Sequence, residues 1–166
     1  MKKIFALIIT CLALVAVGTA TFVYNNNYDN NDNLTVSNIH NKVVFGKTTK
    51  KDLENLYGKP TEVNNNHKSV NKTFDYWNDF EGGVDYMLED NTDYWETVRI
   101  YEPALKKQAK MKIYDYDSYL EYKGKNLGVN YVRFYLNKNI VYGLQFGKNI
   151  TNDKIAKKDK YLKRLY

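Results

Sequence analysis

The chain has 166 residues, a formal charge of +6 and a single cysteine, Cys11. That length allows one ordinary domain plus a leader, and the lone cysteine excludes both a disulfide framework and a thiolate metal site. The moderate positive excess favours anionic surfaces without demanding nucleic acid, and 21 Asn with 16 Tyr give the bias of an AT-rich bacterial genome.

Met1-Lys2-Lys3 precedes an apolar run from Ile4 to Val17 and the small residues Gly18, Thr19 and Ala20. Residues 1–20 therefore read as an export signal, cut after Gly18 or Ala20. The other reading is an uncleaved membrane anchor, because apolar character continues through Phe22 and Val23 and the run reaches across a bilayer of about 30 Å. Either reading places the protein as secreted or anchored on the outer side of the cytoplasmic membrane. Cys11 follows Ile8-Ile9-Thr10 and so lacks the small neighbour of a lipid-modified cysteine. Residues 21–33 are Asn-rich, have no apolar periodicity and read as a disordered linker.

A single domain is expected over 34–166. It opens with a short helix or turn from Leu34 to Asn41, with Leu34, Val36 and Ile39 facing a core. In the stretch Val43 to Pro60, an apolar run stops at Gly46, and Thr49 with Asp52 forms a capping box. Leu53, Leu56 and Tyr57 make an i, i+3, i+4 stripe, Gly58 supplies a positive φ, and Pro60 forbids continuation of the helix.

From Thr61 the pattern turns to strands. Thr73 to Phe80 alternates, Glu81-Gly82-Gly83 makes a turn, and Val84 to Leu88 alternates again, which predicts a hairpin. A third strand is expected from Tyr94 to Tyr101, ended by Glu102-Pro103. Met111 to Tyr114 reads as a strand, and Asp117 to Tyr122 as a helical turn or a strand. Val129 to Leu136 and Ile140 to Phe146 form the clearest hairpin, joined tightly through Asn137-Lys138-Asn139. Thr151 to Tyr166 predicts a C-terminal helix with Ile155, Leu162 and Leu165 on one side and Lys154, Lys157, Lys158, Lys160, Lys163 and Arg164 on the others. The expected fold is α+β: short N-terminal helices packed on a curved antiparallel β-sheet, with a C-terminal helix.

The order of apolar run, Gly, Thr, Asp-Leu and Leu-Tyr-Gly-Lys-Pro over Val43 to Pro60 resembles the repeat unit of the β-lactamase-inhibitor-protein-like superfamily. That group includes the SmpA/OmlA envelope lipoproteins and the YjgB-type surface proteins of Gram-positive bacteria. Val132 to Phe146 is similar to the family's closing hairpin, so the resemblance covers about a third of the chain. It implies a helical layer on an antiparallel sheet and the binding of another protein at the cell envelope, enzyme inhibition included. No second copy of the unit is evident, and the lipid-anchoring cysteine is missing.

No catalytic constellation is legible. His40 and His67 are the only imidazoles, and both read as surface residues. Glu89 to Asp93 and Asp115-Tyr116-Asp117 lack the spacing of a calcium loop and read as turns, and Gly46-Lys47-Thr48 lacks the upstream glycine of a phosphate-binding loop. Neither a cofactor nor a metal is expected. What remains is an aromatic excess beyond the needs of one small core. If Val98, Ile100, Val132, Phe134 and Leu136 face the helices, alternation sets Trp95, Arg99, Tyr101, Tyr131, Arg133 and Tyr135 on the opposite sheet face, with Trp77 beside them. Trp, Tyr and Arg on an uncovered face are hot-spot chemistry. The other reading is that a second layer, built from 104–126 or from the C-terminal helix, covers them. The expected function is that of an exported, non-enzymatic binding protein holding a protein or envelope component. The alternative is an envelope structural or assembly factor whose basic C-terminal helix touches an anionic membrane or wall polymer.

Overall fold

The structure, a computed structural model, describes residues 32–78, 83–97, 99–112 and 115–166. The leader, most of the linker, the Glu81-Gly82 turn, Val98 and the end of the expected Met111 to Tyr114 strand lie outside these. Local chemistry sets the first two helices. Thr35 accepts the Asn38 N–H at 3.0 Å and opens α1, Val36–Lys42, which buries Val36 and Ile39 beside Leu34. Thr49 and Asp52 exchange both bonds of the capping box at the start of α2, Lys50–Tyr57, and Gly58 closes it at φ +77°. The Thr49 N–H, and after it the Thr49 hydroxyl, hold the Asp52 carboxyl below its ordinary range.

Among the described residues there are four strands: β1, Glu62–Asn64; β2, Ser118–Tyr122; β3, Val132–Asn137; and β4, Ile140–Phe146. They form one antiparallel sheet in the order β1-β2-β3-β4, so the fold is α+β. Lys138 and Asn139, both at positive φ, make the two-residue turn between β3 and β4. Tyr135 pairs with Gly143 and Leu136 with Val141, which leaves Tyr142 as the extra residue of a bulge.

The expected hairpin over 73–88 is two helices instead: α3, His67–Asn78, and α4, Val84–Asn91. Asn66 accepts the Ser69 N–H at 3.0 Å and starts α3, and the pairs Val70/Phe74 and Val84/Leu88, each four residues apart, are the buried stripes. The third strand is also replaced. Tyr94–Thr97 is a single helical turn, α5, with Thr92 accepting the Tyr94 N–H at 3.1 Å. Of the rest, Ile100 bridges to Phe45. Pro103, expected to end a strand, sits in the first turn of α6, Glu102–Gln108, where its missing N–H costs nothing. At the C-terminus the expected continuous helix is two short pieces, α7, Asp153–Ala156, and a 3₁₀ turn, Leu162–Leu165. The Asp159 carboxylate divides them: it accepts the N–H groups of Tyr161 and Leu162 and, from α1, that of Ser37 at 2.8 Å. His40 is 7 % exposed, not a surface residue, and its Nε2 lies 3.0 Å from the Tyr161 hydroxyl.

Helices cover both sheet faces. On one face Leu120, Tyr122, Val132, Phe134, Leu136, Leu144 and Phe146 pack with α1, α2, α4, Tyr94 and the C-terminal tail. On the other, Tyr119, Tyr135 and Tyr142 pack with Val70 and Phe74 of α3, Ala104 of α6 and Tyr116. Among the described residues no helix is long and apolar enough to cross a membrane.

Gly46 fixes the roll of α6. Its φ is +78°, and a Cβ added there would lie 2.0 Å from the Ala104 Cβ. Gly46→Ala is expected to lower unfolding free energy by about 2–4 kcal/mol, from positive-φ strain plus overpacking. Gly58→Ala, with nothing within 4 Å but φ +77° and ψ −158°, is expected to cost about 1–3 kcal/mol from backbone strain alone, without the overpacking. Denaturant titration of the two variants checks the difference.

Candidate functional site

Strand alternation places Tyr131, Arg133 and Tyr135 together toward the second sheet face, as their spacing in sequence predicts. Register brings in two residues that sequence reading passes over. Glu121 of β2 stands directly opposite Arg133 of β3, and Tyr119 opposite Tyr135. Glu121 is 2 % exposed, and it accepts Arg133 Nε at 2.8 Å through Oε2 and Lys123 Nζ at 2.9 Å through Oε1. Both carboxylate oxygens are thus matched to cations, as a buried charge requires.

The Arg133 guanidinium lies over two rings, 4.4 Å from the Tyr131 centroid and 5.1 Å from that of Tyr119. A planar cation held between aromatic faces loses little freedom on binding. Beneath it, the Tyr135 hydroxyl donates to Gln145 Oε1 at 2.6 Å, and Gln145 Nε2 donates to the Phe74 carbonyl of α3. The Tyr119 hydroxyl donates to Glu62, which stands beside Glu121 across β1 and β2. Burial pushes the Tyr131 hydroxyl up to about 12, so it stays a neutral donor at physiological pH. Tyr135 is fully buried under Phe74 and Tyr116 and is support, while Tyr131 and Arg133 are partly buried and form the accessible part.

The remaining candidates do not join this cluster. Trp95 is on α5 and packs against Tyr94 and Phe146 of the first core, because the strand that would have turned it outward does not form. Arg99 donates to the Asn41 carbonyl at 3.0 Å, and Tyr101 is exposed with Lys47 over its ring. Trp77 lies on α3, and its side chain is outside the described residues. The cover over the second face comes from Val70 and Phe74 of α3 together with Ala104 and Tyr116, so residues of 104–126 share in it, while the C-terminal tail packs on the first face.

His67, exposed on α3, hydrogen-bonds the Asp115 carboxylate. Of the hydroxyls on the same helix, that of Ser69 accepts from Asn64 and that of Thr73 donates to the Ser69 carbonyl. Among the described residues no three of His, Cys, Asp and Glu are grouped to hold a metal ion. The six cations of the C-terminal segment are all exposed, whereas Leu162 is buried in the core.

One carboxylate is strongly perturbed. Asp85, the second residue of α4, accepts the Phe146 N–H with both oxygens, at 3.0 and 3.1 Å, while its own carbonyl accepts Trp95 Nε1. Burial raises its carboxyl from 3.8 to about 7, against the lowering effect of the Phe146 bond. The folded state therefore holds this proton more tightly than the unfolded chain. Its stabilising contribution is complete below about 4 and is lost as pH rises through about 7. Asp85 keeps some solvent contact, so the effect is on the order of 2 kcal/mol, less than the full linkage. Denaturation midpoints are expected to rise as pH falls across that window, and Asp85→Asn to flatten the slope.

Comparison of the chain with protein-family models, with curated proteins and with solved structures returns no match.

Proposed function

We propose that this chain is an exported bacterial binding protein without enzymatic activity, which holds a protein or envelope component through Arg133 and Tyr131. The observation that carries the reading is the Arg133 guanidinium, laid over the rings of Tyr131 and Tyr119 and anchored by buried Glu121. Tyr and Arg dominate binding hot spots because they bury large area and still present donors. Here the supporting contacts exist before any ligand arrives, which reduces the ordering cost of association. Export is supported by the leader pattern, and the envelope setting by the resemblance over Val43 to Pro60. Inhibition of an enzyme is a narrower form of the same reading.

Envelope association through the C-terminal cations is the second reading, supported by the exposure of all six. Its apolar complement is weak, because Leu162 is spent on the core.

The test is capture of host envelope and culture proteins on the immobilised full chain, on Tyr131→Ala and on Arg133→Lys. Arg133→Lys keeps a cation for Glu121 but loses the planar fork. A protein retained stoichiometrically by the wild type is expected to fall at least about tenfold on each variant, with circular dichroism unchanged. Equal retention on all three would overturn the assignment of the site.

A further inference from the structure

Residues 99–112, which include α6, expose apolar and cationic side chains side by side. Ile100, Tyr101 and Leu105 are 42, 44 and 50 % exposed, outside either core. Leu105 and Ala109, four residues apart, form a row along α6 and its C-cap, and Tyr101, the extended N-cap residue, stands exposed just before it. Packing on the sheet fixes which way this row points. Ala104 is buried against Gly46, and Gln108 Nε2 donates to the Tyr142 carbonyl at 3.3 Å, so the neighbouring row is held inward.

The charge around that row is one-sided. The segment carries Arg99, Lys106, Lys107, Lys110 and Lys112 against a single carboxylate, Glu102, which is already paired with Lys106 at 3.1 Å. Lys47 adds another cation from a different part of the chain, 5.6 Å from the centre of the Tyr101 ring.

We propose that this surface docks on an anionic lipid bilayer, with Tyr101 and Leu105 entering the headgroup–acyl boundary and the surrounding cations facing the phosphates. Charge complementarity selects an anionic partner, and electrostatic attraction to such a surface grows with each Lys or Arg near it. The exposed apolar row selects a bilayer over a wall polymer, since a polymer supplies charge but no apolar phase for Leu105. Tyrosine suits the boundary, with an apolar ring and a polar tip. This surface uses none of the residues of the Arg133 site and does not depend on its role.

Amide hydrogen exchange of the full chain tests the proposal, with vesicles of equal parts phosphatidylglycerol and phosphatidylcholine compared with vesicles of phosphatidylcholine alone. Exchange across 99–112 is expected to slow about tenfold or more on the anionic vesicles. It is expected to stay fast on the neutral vesicles, at high salt, and in the Tyr101→Ser/Leu105→Ser variant, whose altered side chains are both exposed and outside the cores. The readout is confined to this segment, so attachment through the leader does not count as success. A chain that sediments with anionic vesicles but shows no protection in 99–112 overturns the proposal. Equal protection on neutral vesicles, unchanged protection in the double variant, or the same protection from soluble polyglycerol phosphate does so too.

Discussion

Strand β3 is enclosed on both faces, and most other elements take their positions from that. Val132, Phe134 and Leu136 point into one core, and Tyr135 into the other. A sheet with two apolar faces needs a layer on each, and neither layer alone uses all of the aromatic residues in the chain. The first layer is assembled from α1, α2, α4 and the C-terminal tail, and the second from α3 and α6 with Tyr116. The tail is held to the first layer by polar contacts as well as packing, with Asp159 reaching α1 and Tyr161 meeting His40. Among the described residues the strands are confined to 62–64 and 118–146. The helices between them therefore have to reach both sides of the same sheet.

Elements encoded by short-range signals were legible in sequence, and those decided at long range were not. The Thr49–Asp52 box, the Gly58 stop and the Lys138-Asn139 turn each act over four residues or fewer, and each stands where the sequence places it. Residues 73–78 are a different case. Phe74 and Tyr76 alternate with polar residues as in a strand, yet Val70 and Phe74 are also a helical pair. The choice rests on Phe74 meeting Tyr116 and Tyr135, and on Gln145 bonding the Phe74 carbonyl across 71 residues. Nothing local distinguishes these two periods over six residues. Pro103 shows the same ambiguity: a proline after an alternating run ends a strand or begins a helix, and the packing of Ala104 on Gly46 decides for the helix.

The candidate site was half legible for a related reason. Tyr131, Arg133 and Tyr135 share a sheet side by alternation alone, which the sequence states directly. Glu121 could not be added, because its pairing with Arg133 depends on the register between strands ten residues apart. Trp95 and Tyr101 were grouped with them only through a strand that does not exist, and the structure sends one inward and the other to a separate surface.

Energetics bear on why an ion pair occupies this position at all. Taking Glu121 out of water costs several kcal/mol in general, and the return from Arg133 and Lys123 rarely exceeds that of a packed apolar pair. Stability alone thus gives weak grounds for a carboxylate here, in a strand whose neighbours on the same face include Tyr119 and Tyr135. What the pair supplies that an apolar pair does not is orientation. Nε is tied to Glu121, and the guanidinium is set against Tyr131 and Tyr119, so the largely buried cation, its side chain 15 % exposed, is held in a fixed orientation. A charge held in that way is suited to meeting a partner group without reorganising, and it is on this constraint, rather than on any catalytic geometry, that the binding reading rests.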